Sequence, residues 1–262
     1  MMLSASLHSI HENERQMLFD HLDLLSSSDL LLMDRGYPCR WLVALLNQRG
    51  IGFCMRVEKA GNTGFACVRD FMRSGCAEQI VTLPAPDQRD VSDYECLATP
   101  QTVRLIRHVA STGKVRVLMT NLIDAFAFPA IECGELYHQR WRIEEAFKRL
   151  KSRLNLEHVS GLSQLAALQN FAAKVLCDNL HALASAAACA KSLVPPTRRV
   201  HRAYAQTVLK PLLPTLLLRG ATDLLHEALA LIIRKTFLHR PGQSKPRNKQ
   251  PKPHKQMTQK PC

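Results

Sequence analysis

Acidic residues are scarce in this sequence: 22 Asp and Glu stand against 35 Lys and Arg in 262 residues, a formal net charge of +13. That deficit favours a polyanionic partner, nucleic acid first and an anionic membrane surface second. No two of the nine cysteines fall in a C-x-x-C pair, which leaves out the common zinc and dithiol patterns. Their odd number and wide scatter point to reduced, mostly buried thiols in a cytosol. No signal peptide opens the chain. The most apolar late stretch, PLLPTLLLRGATDLLHEALALIIR, is interrupted by Arg219, Asp223, His226 and Glu227, so it is a poor membrane span. A soluble intracellular protein is expected. No internal repeat is evident. What is present is apolar content of 46%, enough for a sizeable core in one large domain or one domain with an insertion.

Along the chain, Met17, Leu18, Leu22 and Leu25 recur at helical spacing before the break SSSD. LLLM is short, apolar on both faces and followed by Asp34-Arg35-Gly36, which predicts a buried strand delivering Asp34 to a loop. After Pro38, RWLVALLNQR has a helical pattern that Gly50 can terminate. IGFCMRVE alternates, with Ile51, Phe53, Met55 and Val57 on one face, and predicts a neighbouring strand. Residues 59–100 are richer in Gly, Pro and charge and read as a mainly β insertion. TVRLIRHV and KVRVLMTNL predict two more strands joined at Ser-Thr-Gly. After Pro129 the pattern turns helical to about Leu238. From His239 onward the chain is rich in Lys, Arg and Pro and has no acid, which predicts a disordered basic tail. The division expected is 1–58 and 101–160 as a core, 59–100 as the insertion, 161–238 as a helical region and 239–262 as the tail.

The segment YHQRWRIEEAFKRLK, residues 137–151, has the densest charge pattern. On one continuous helix, advancing about 100° per residue, Tyr137, Arg140, Glu144, Lys148 and Lys151 share an arc of roughly 80°. Leu136, Ile143, Phe147, Leu150 and Leu154 form the stripe such a helix would bury. Glu145, one turn before Arg149, is accounted for by a surface ion pair. Glu144, at the border of the core with cations on either side, is suited to hold a metal ion near a phosphodiester. An ordinary solvated basic helix would show much the same charge pattern.

The spacing of Tyr137, Arg140, Glu144 and Lys151 matches Y-x-x-R-x-x-x-E-x-x-x-x-x-x-K and resembles the signature of bacterial insertion-sequence transposases of the insertion-sequence-four family. MTNL, RWRIEEAFKRLKSRLNLEH and LLLMDRGYP are similar to blocks of that family in the same order, from about Glu14 to Leu180. The resemblance implies an α/β fold: a partial ribonuclease-H-like core with an inserted β segment and a helical C-terminal region. It implies three carboxylates, Asp, Asp and Glu, holding two Mg2+ or Mn2+ ions, with Asp34 as the second Asp and Glu144 as the Glu. It also implies that Tyr137, Arg140 and Lys151 contact DNA around the cleaved phosphate. Lys148, Trp141 and Arg142 are further candidates for DNA contact, and Trp141 is equally suited to packing.

The expected first Asp, on a central strand well before Asp34, has no counterpart: Asp20 and Asp23 sit in a helical pattern and Asp29 begins the same strand as Asp34. The chain is therefore expected to be a truncated transposase of impaired activity. A non-catalytic DNA-binding remnant, or an inhibitor of a full-length relative, is the other reading. Double-stranded DNA is the expected partner, with a homodimer or a mixed complex with full-length transposase, in a bacterial cytoplasm at the nucleoid.

Overall fold

The structure, a computed structural model, describes residues 1–9, 11–57, 65–110, 113–161 and 163–238. The expected basic tail, and Ser111 and Thr112 of the expected hairpin connection, lie outside these residues. The chain divides into two compact units, 8–144 and the pair 1–7 with 145–262.

The unit spanning 8–144 opens with α1 (Glu14–Phe19), capped by Asn13, whose side chain accepts from the Arg15 amide. A 3-10 turn at Leu22–Leu24 follows and then β1 (Leu30–Met33), the strand predicted from LLLM. Helix α2 (Arg40–Gln48) buries Trp41 through Leu46 without interruption, so it is enclosed by the core and not laid across its surface. Gly50 ends it with φ 67°, while Ile51 donates its amide to the Leu46 carbonyl at 2.9 Å. Both features belong to a left-handed helix terminus that glycine adopts without strain. The chain returns as β2 (Gly52–Val57), parallel to β1 with Leu30 opposite Gly52 and Met33 opposite Met55.

Residues 65–100 correct the expectation of a mainly β insertion. They hold α3 (Ala66–Ser74), β3 (Glu78–Leu83) and α4 (Gln88–Tyr94), and β3 is a strand of the main sheet. In α3 the core contacts are Val68 and Phe71, three residues apart, a spacing that one short helix satisfies. The hairpin of β4 (Gln101–Val109) and β5 (Val115–Thr120) is as predicted and completes the five-stranded order β1-β2-β5-β4-β3. Only the β1–β2 pair is parallel. Thr120 and Asn121 of MTNL clip β5 to β2. The Thr120 hydroxyl donates to the Phe53 carbonyl at 2.5 Å, and Asn121 Oδ1 accepts from the Phe53 amide at 2.9 Å.

Helix α5 (Ala130–His138) lies on this sheet and turns Cys133, Gly134 and Tyr137 inward, against a cluster formed by Cys54, Ile106 and Leu118. A Cβ at position 134 would collide with the His108 ring, so at this close approach of helix to sheet any residue but glycine would have to displace that side chain. Buried Arg104 on β4 pairs with Glu78 and donates to the Phe128 carbonyl at 2.7 Å, which fixes the start of α5. Burial and the neighbouring Cys133 push the Cys54 thiol up to about 12. The eight cysteines among the described residues are all free, but only Cys54, Cys96 and Cys133 are buried, whereas the sequence predicts burial for most of them.

Helix α6 (Trp141–Arg153) carries the chain from one unit into the other. The second unit contains α7 (Gln164–Lys191), β6 (Arg198–Val200), α8 (Arg202–Leu209), α9 (Leu213–Arg219), α10 (Thr222–Ile233) and β7 (Thr236–Leu238). Its core is a small cluster of Ala188, Val200, Ala205, Leu209, Ala228, Leu229 and Ile232. Strands β6 and β7 pair antiparallel, a small addition to a region expected to be wholly helical. No helix among the described residues is long and apolar enough to cross a membrane.

Candidate active site

Asp34 follows β1 directly, at the end of the strand where Met33 faces Met55. Its Oδ1 accepts the Arg35 amide at 2.7 Å, and its Oδ2 lies 3.4 Å from Arg140. The second terminal nitrogen of Arg140 lies 3.4 Å from Glu144 Oε1. One guanidinium therefore stands between the two carboxylates that the sequence singled out. Arg140 is 13% exposed, while Asp34 and Glu144 are 41% and 36% exposed, so the cation is held inside and the acids face outward.

The packing of α5 explains how they meet. Tyr137 is on the buried face of that helix, in the same cluster as Cys54 and Leu118, and Leu32 of β1 packs against it. Two residues after Leu32 comes Asp34, and three after Tyr137 comes Arg140. Packing of Leu32 against the cluster that holds Tyr137 thus brings the polar groups that follow each of them together. The guanidinium carbon sits 5.9 Å from the Tyr137 ring centre and 5.3 Å from that of Trp141, within the range of cation–π attraction.

Three features differ from the single continuous helix read from the sequence. The helical run is interrupted at Gln139 and Arg140, where amides bond three residues back: Arg140 to the Tyr137 carbonyl at 3.1 Å and Ile143 to the Arg140 carbonyl at 3.1 Å. That tighter turn resets the rotation between Tyr137 and the residues after it. Tyr137, placed by the sequence in a DNA-facing stripe, is 3% exposed, and its buried hydroxyl has at best a weak hydrogen-bond partner among the described residues, the Arg140 guanidinium. In this conformation it is a packing residue. The third difference is the apolar face of α6, which buries Ala146 and Leu150 and leaves Ile143 and Phe147 about half exposed, not buried as expected.

The remaining candidates are distributed along α6. Arg142 and Lys148 are exposed, Trp141 is half-buried, and Lys151 lies 3.4 Å from Glu157. Arg149 is paired not with Glu145, as the sequence suggested, but with Asp178 on α7 at 2.9 and 2.8 Å. Asp20, Asp23 and Asp29 are accounted for elsewhere. Asp20 caps α1, Asp23 pairs with Arg49 at 2.6 Å, and Asp29 accepts from Ser26 at 2.8 and 2.9 Å. Two groups that sequence reasoning missed adjoin the site. Tyr37 is raised in pKa by burial and then by the charges of Glu14 and Asp34. Tyr137 is raised by burial and by Asp34, against the pull of Arg140 and Arg56, which puts Arg56 on β2 near the cluster. Tyr37 stands within the DRGYP block, the one signal that could have marked it.

Residues 1–180 match the family model described as the transposase DDE domain, well over half of the chain. The chain belongs to this transposase family. It is also 26% identical over 154 residues to "Transposase InsG for insertion sequence element IS4" from Escherichia coli (strain K12), an alignment covering 59% of this chain. The chain spans about a third of that relative's length, 34%. The mixed five-stranded sheet with its helices is consistent with a ribonuclease-H-like transposase core.

Transposases of this family generally use divalent metal ions. The arrangement around Arg140 does not fit a two-ion centre. Among the described residues no three His, Cys, Asp or Glu side chains gather where they could hold a metal, and a guanidinium occupies the space between Asp34 and Glu144. What the group does as it stands is hold a fixed positive charge beside two outward-facing carboxylates. Such a group can orient a phosphodiester through Arg140 and repel it through the acids.

Proposed function

We propose that this chain acts on double-stranded DNA as part of an insertion-sequence transposase, with Asp34 and Glu144 as two of the carboxylates of its cleavage site. The observation that supports this is the meeting of Asp34, at a strand end, with Glu144, in the first turn of a helix, on one half-buried Arg140. Arg140 lies between the two acids, which the surrounding strand and helix hold in place. Arg142, Lys148 and Lys151 contact phosphates along one strand, positioning DNA without reading its sequence. A complete site would need three carboxylates to hold Mg2+ or Mn2+, which Asp34 and Glu144 beside Arg140 do not make up by themselves. With two acids beside Arg140, the chain alone binds DNA and cuts it poorly. Occupying transposon ends as a homodimer, or in mixed complexes with a full-length transposase, is then within its means, in the bacterial cytoplasm at the nucleoid.

The experiment is a pair of assays on the whole chain: retardation of duplex DNA across a salt series, and nicking of supercoiled plasmid with Mg2+ or Mn2+. Binding should weaken steeply with salt, as counterion release requires. Nicking should be at most slight, and Glu144→Gln should remove whatever is seen while leaving the retardation unchanged. Nicking that survives Glu144→Gln would remove the site assignment, and absence of DNA binding at low salt would remove the function.

A further inference from the structure

The second unit contains a cavity of about 50 Å³ between α6, α7 and α8, lined by Arg149, Arg153, Asp178, His181, Arg202 and Gln206 among others. Its floor is polar and already organised. Asp178 is 6% exposed and takes both of its bonds from Arg149, at 2.9 and 2.8 Å. That pair is neutral. Arg153 and Arg202 are exposed and form no ion pair within 4 Å among the described residues, although Glu145 and Asp178 act on Arg202 through charge, so the lining keeps an excess of positive charge. His181 also lines the cavity, and its Nε2 is buried with no hydrogen-bond partner among the described residues. A buried nitrogen in that state costs free energy unless something meets it there.

We propose that this cavity is an anion site for one phosphate group, held by Arg202 and Arg153 at the mouth and by His181 at the floor. Size limits the ligand: on the scale where roughly 10–15 Å³ admits one water, about 50 Å³ has room for a phosphate and far too little for a nucleoside. Charge limits it further, because Arg forks match phosphate oxygens and the Asp178 carboxylate is engaged by Arg149. The phosphate comes either from solution or from a nucleic-acid backbone laid over the mouth. The site uses neither Asp34 nor Glu144 and stands or falls apart from the transposase reading.

Binding should be linked to protons. Burial holds the His181 imidazole below its usual value, against the pull of Asp178 and the Cys177 backbone, so the ring is neutral near pH 7. The charged groups around it are Asp178, Arg149, Arg153 and Arg202, with Glu145 acting on Arg202 and Met1, which carries the terminal amino group, also at the cavity lining. An anion at Nε2 favours the protonated ring, so His181 should titrate at higher pH with ligand present, and affinity should rise as pH falls.

The test follows the His181 ring by NMR in the whole chain, assigned by loss of its signal in His181→Gln. Inorganic phosphate is titrated against chloride of equal ionic strength, and a duplex oligonucleotide without terminal phosphates is titrated separately. Phosphate should move the His181 midpoint up by about one pH unit, a tenfold coupling, and Arg202→Gln or Arg153→Gln should weaken phosphate about tenfold with an unchanged melting midpoint. A shift with the oligonucleotide alone, lost in Arg202→Gln, assigns the site to backbone phosphate and supports the proposal equally. No His181 shift with either probe overturns it, as does unchanged affinity in both Arg variants.

Discussion

Replacing Asp34 and Glu144 by their amides, singly and together, tests whether the cluster is built by the fold or by its own ion pairs. Each carboxylate lies 3.4 Å from Arg140 and is more than a third exposed, so each pair belongs with surface salt bridges. Asp34→Asn or Glu144→Gln alone should cost about 0.5–1 kcal/mol. Arg140 is different, because it is 13% exposed and its Nε is buried without a partner among the described residues. Removing both acids strands a mostly buried cation. The double variant should therefore lose about 2–3 kcal/mol, more than the two singles together, with a coupling of about 1 kcal/mol. At roughly 2–4 °C per kcal/mol for a protein of this size, the singles shift the melting midpoint by a few degrees and the double by about 5–10 °C. Tryptophan fluorescence is a suitable reporter, since Trp41 is 5% exposed in the core of the same unit. Strict additivity, or a single variant costing more than about 2 kcal/mol, would refute the reasoning.

Asp178→Asn should cost about 3 kcal/mol at pH 7, measured by urea unfolding, because it leaves the bidentate partner Arg149 without its anion. Burial alone would raise the Asp178 carboxyl, but the bonds and charge of Arg149, with Arg202 and His181, hold it below the usual range. Its contribution is thus in place above about pH 4, near the ordinary Asp value, and drains as pH falls through the lowered one. The gap between wild type and variant should narrow as pH falls below about 4, and a gap that did not narrow anywhere on the acid side would count against the pair. Tyr137→Phe removes a buried hydroxyl whose one hydrogen-bonding neighbour among the described residues is the Arg140 guanidinium, a weak contact, so the variant should be within about 1 kcal/mol of wild type in stability. A loss of more than about 1 kcal/mol would mean that the hydroxyl is bonded in solution.

Much of the first unit was legible because its elements carry their own punctuation. LLLM and GFCMRV are bounded by turns, Gly50 ends α2, and the β4–β5 hairpin is framed by alternating apolar residues. Where the reading failed, the deciding contact was far away in sequence. The pattern of 65–100 gave no sign that β3 would join the main sheet beside β4, thereby leaving α3 and α4 to pack as helices. The interruption at Gln139 and Arg140 has neither Gly nor Pro to mark it. It follows from the demand that Tyr137 pack on the sheet while α6 buries Ala146 and Leu150. Asp178 lies in an Ala- and Leu-rich helix where nothing local calls for a carboxylate. Its reason is Arg149, 29 residues earlier.

The same contrast separates how the two polar clusters are held. Around Asp178 the bonds are short, two-pronged and buried, so that pair is part of what keeps α6 and α7 together. Around Arg140 the distances are longer and the acids exposed, so ion pairing is too weak to determine where Asp34 and Glu144 lie. Their placement must come from β1 and from the α5 face that carries Tyr137, both anchored by buried apolar contacts worth about 1.5–3 kcal/mol for each large side chain. A site built this way can change charge without unfolding. Loosely paired acids on a firm scaffold can exchange Arg140 for another cation or a phosphate-bound partner at little structural cost. A tightly bonded pair such as Arg149 and Asp178 cannot.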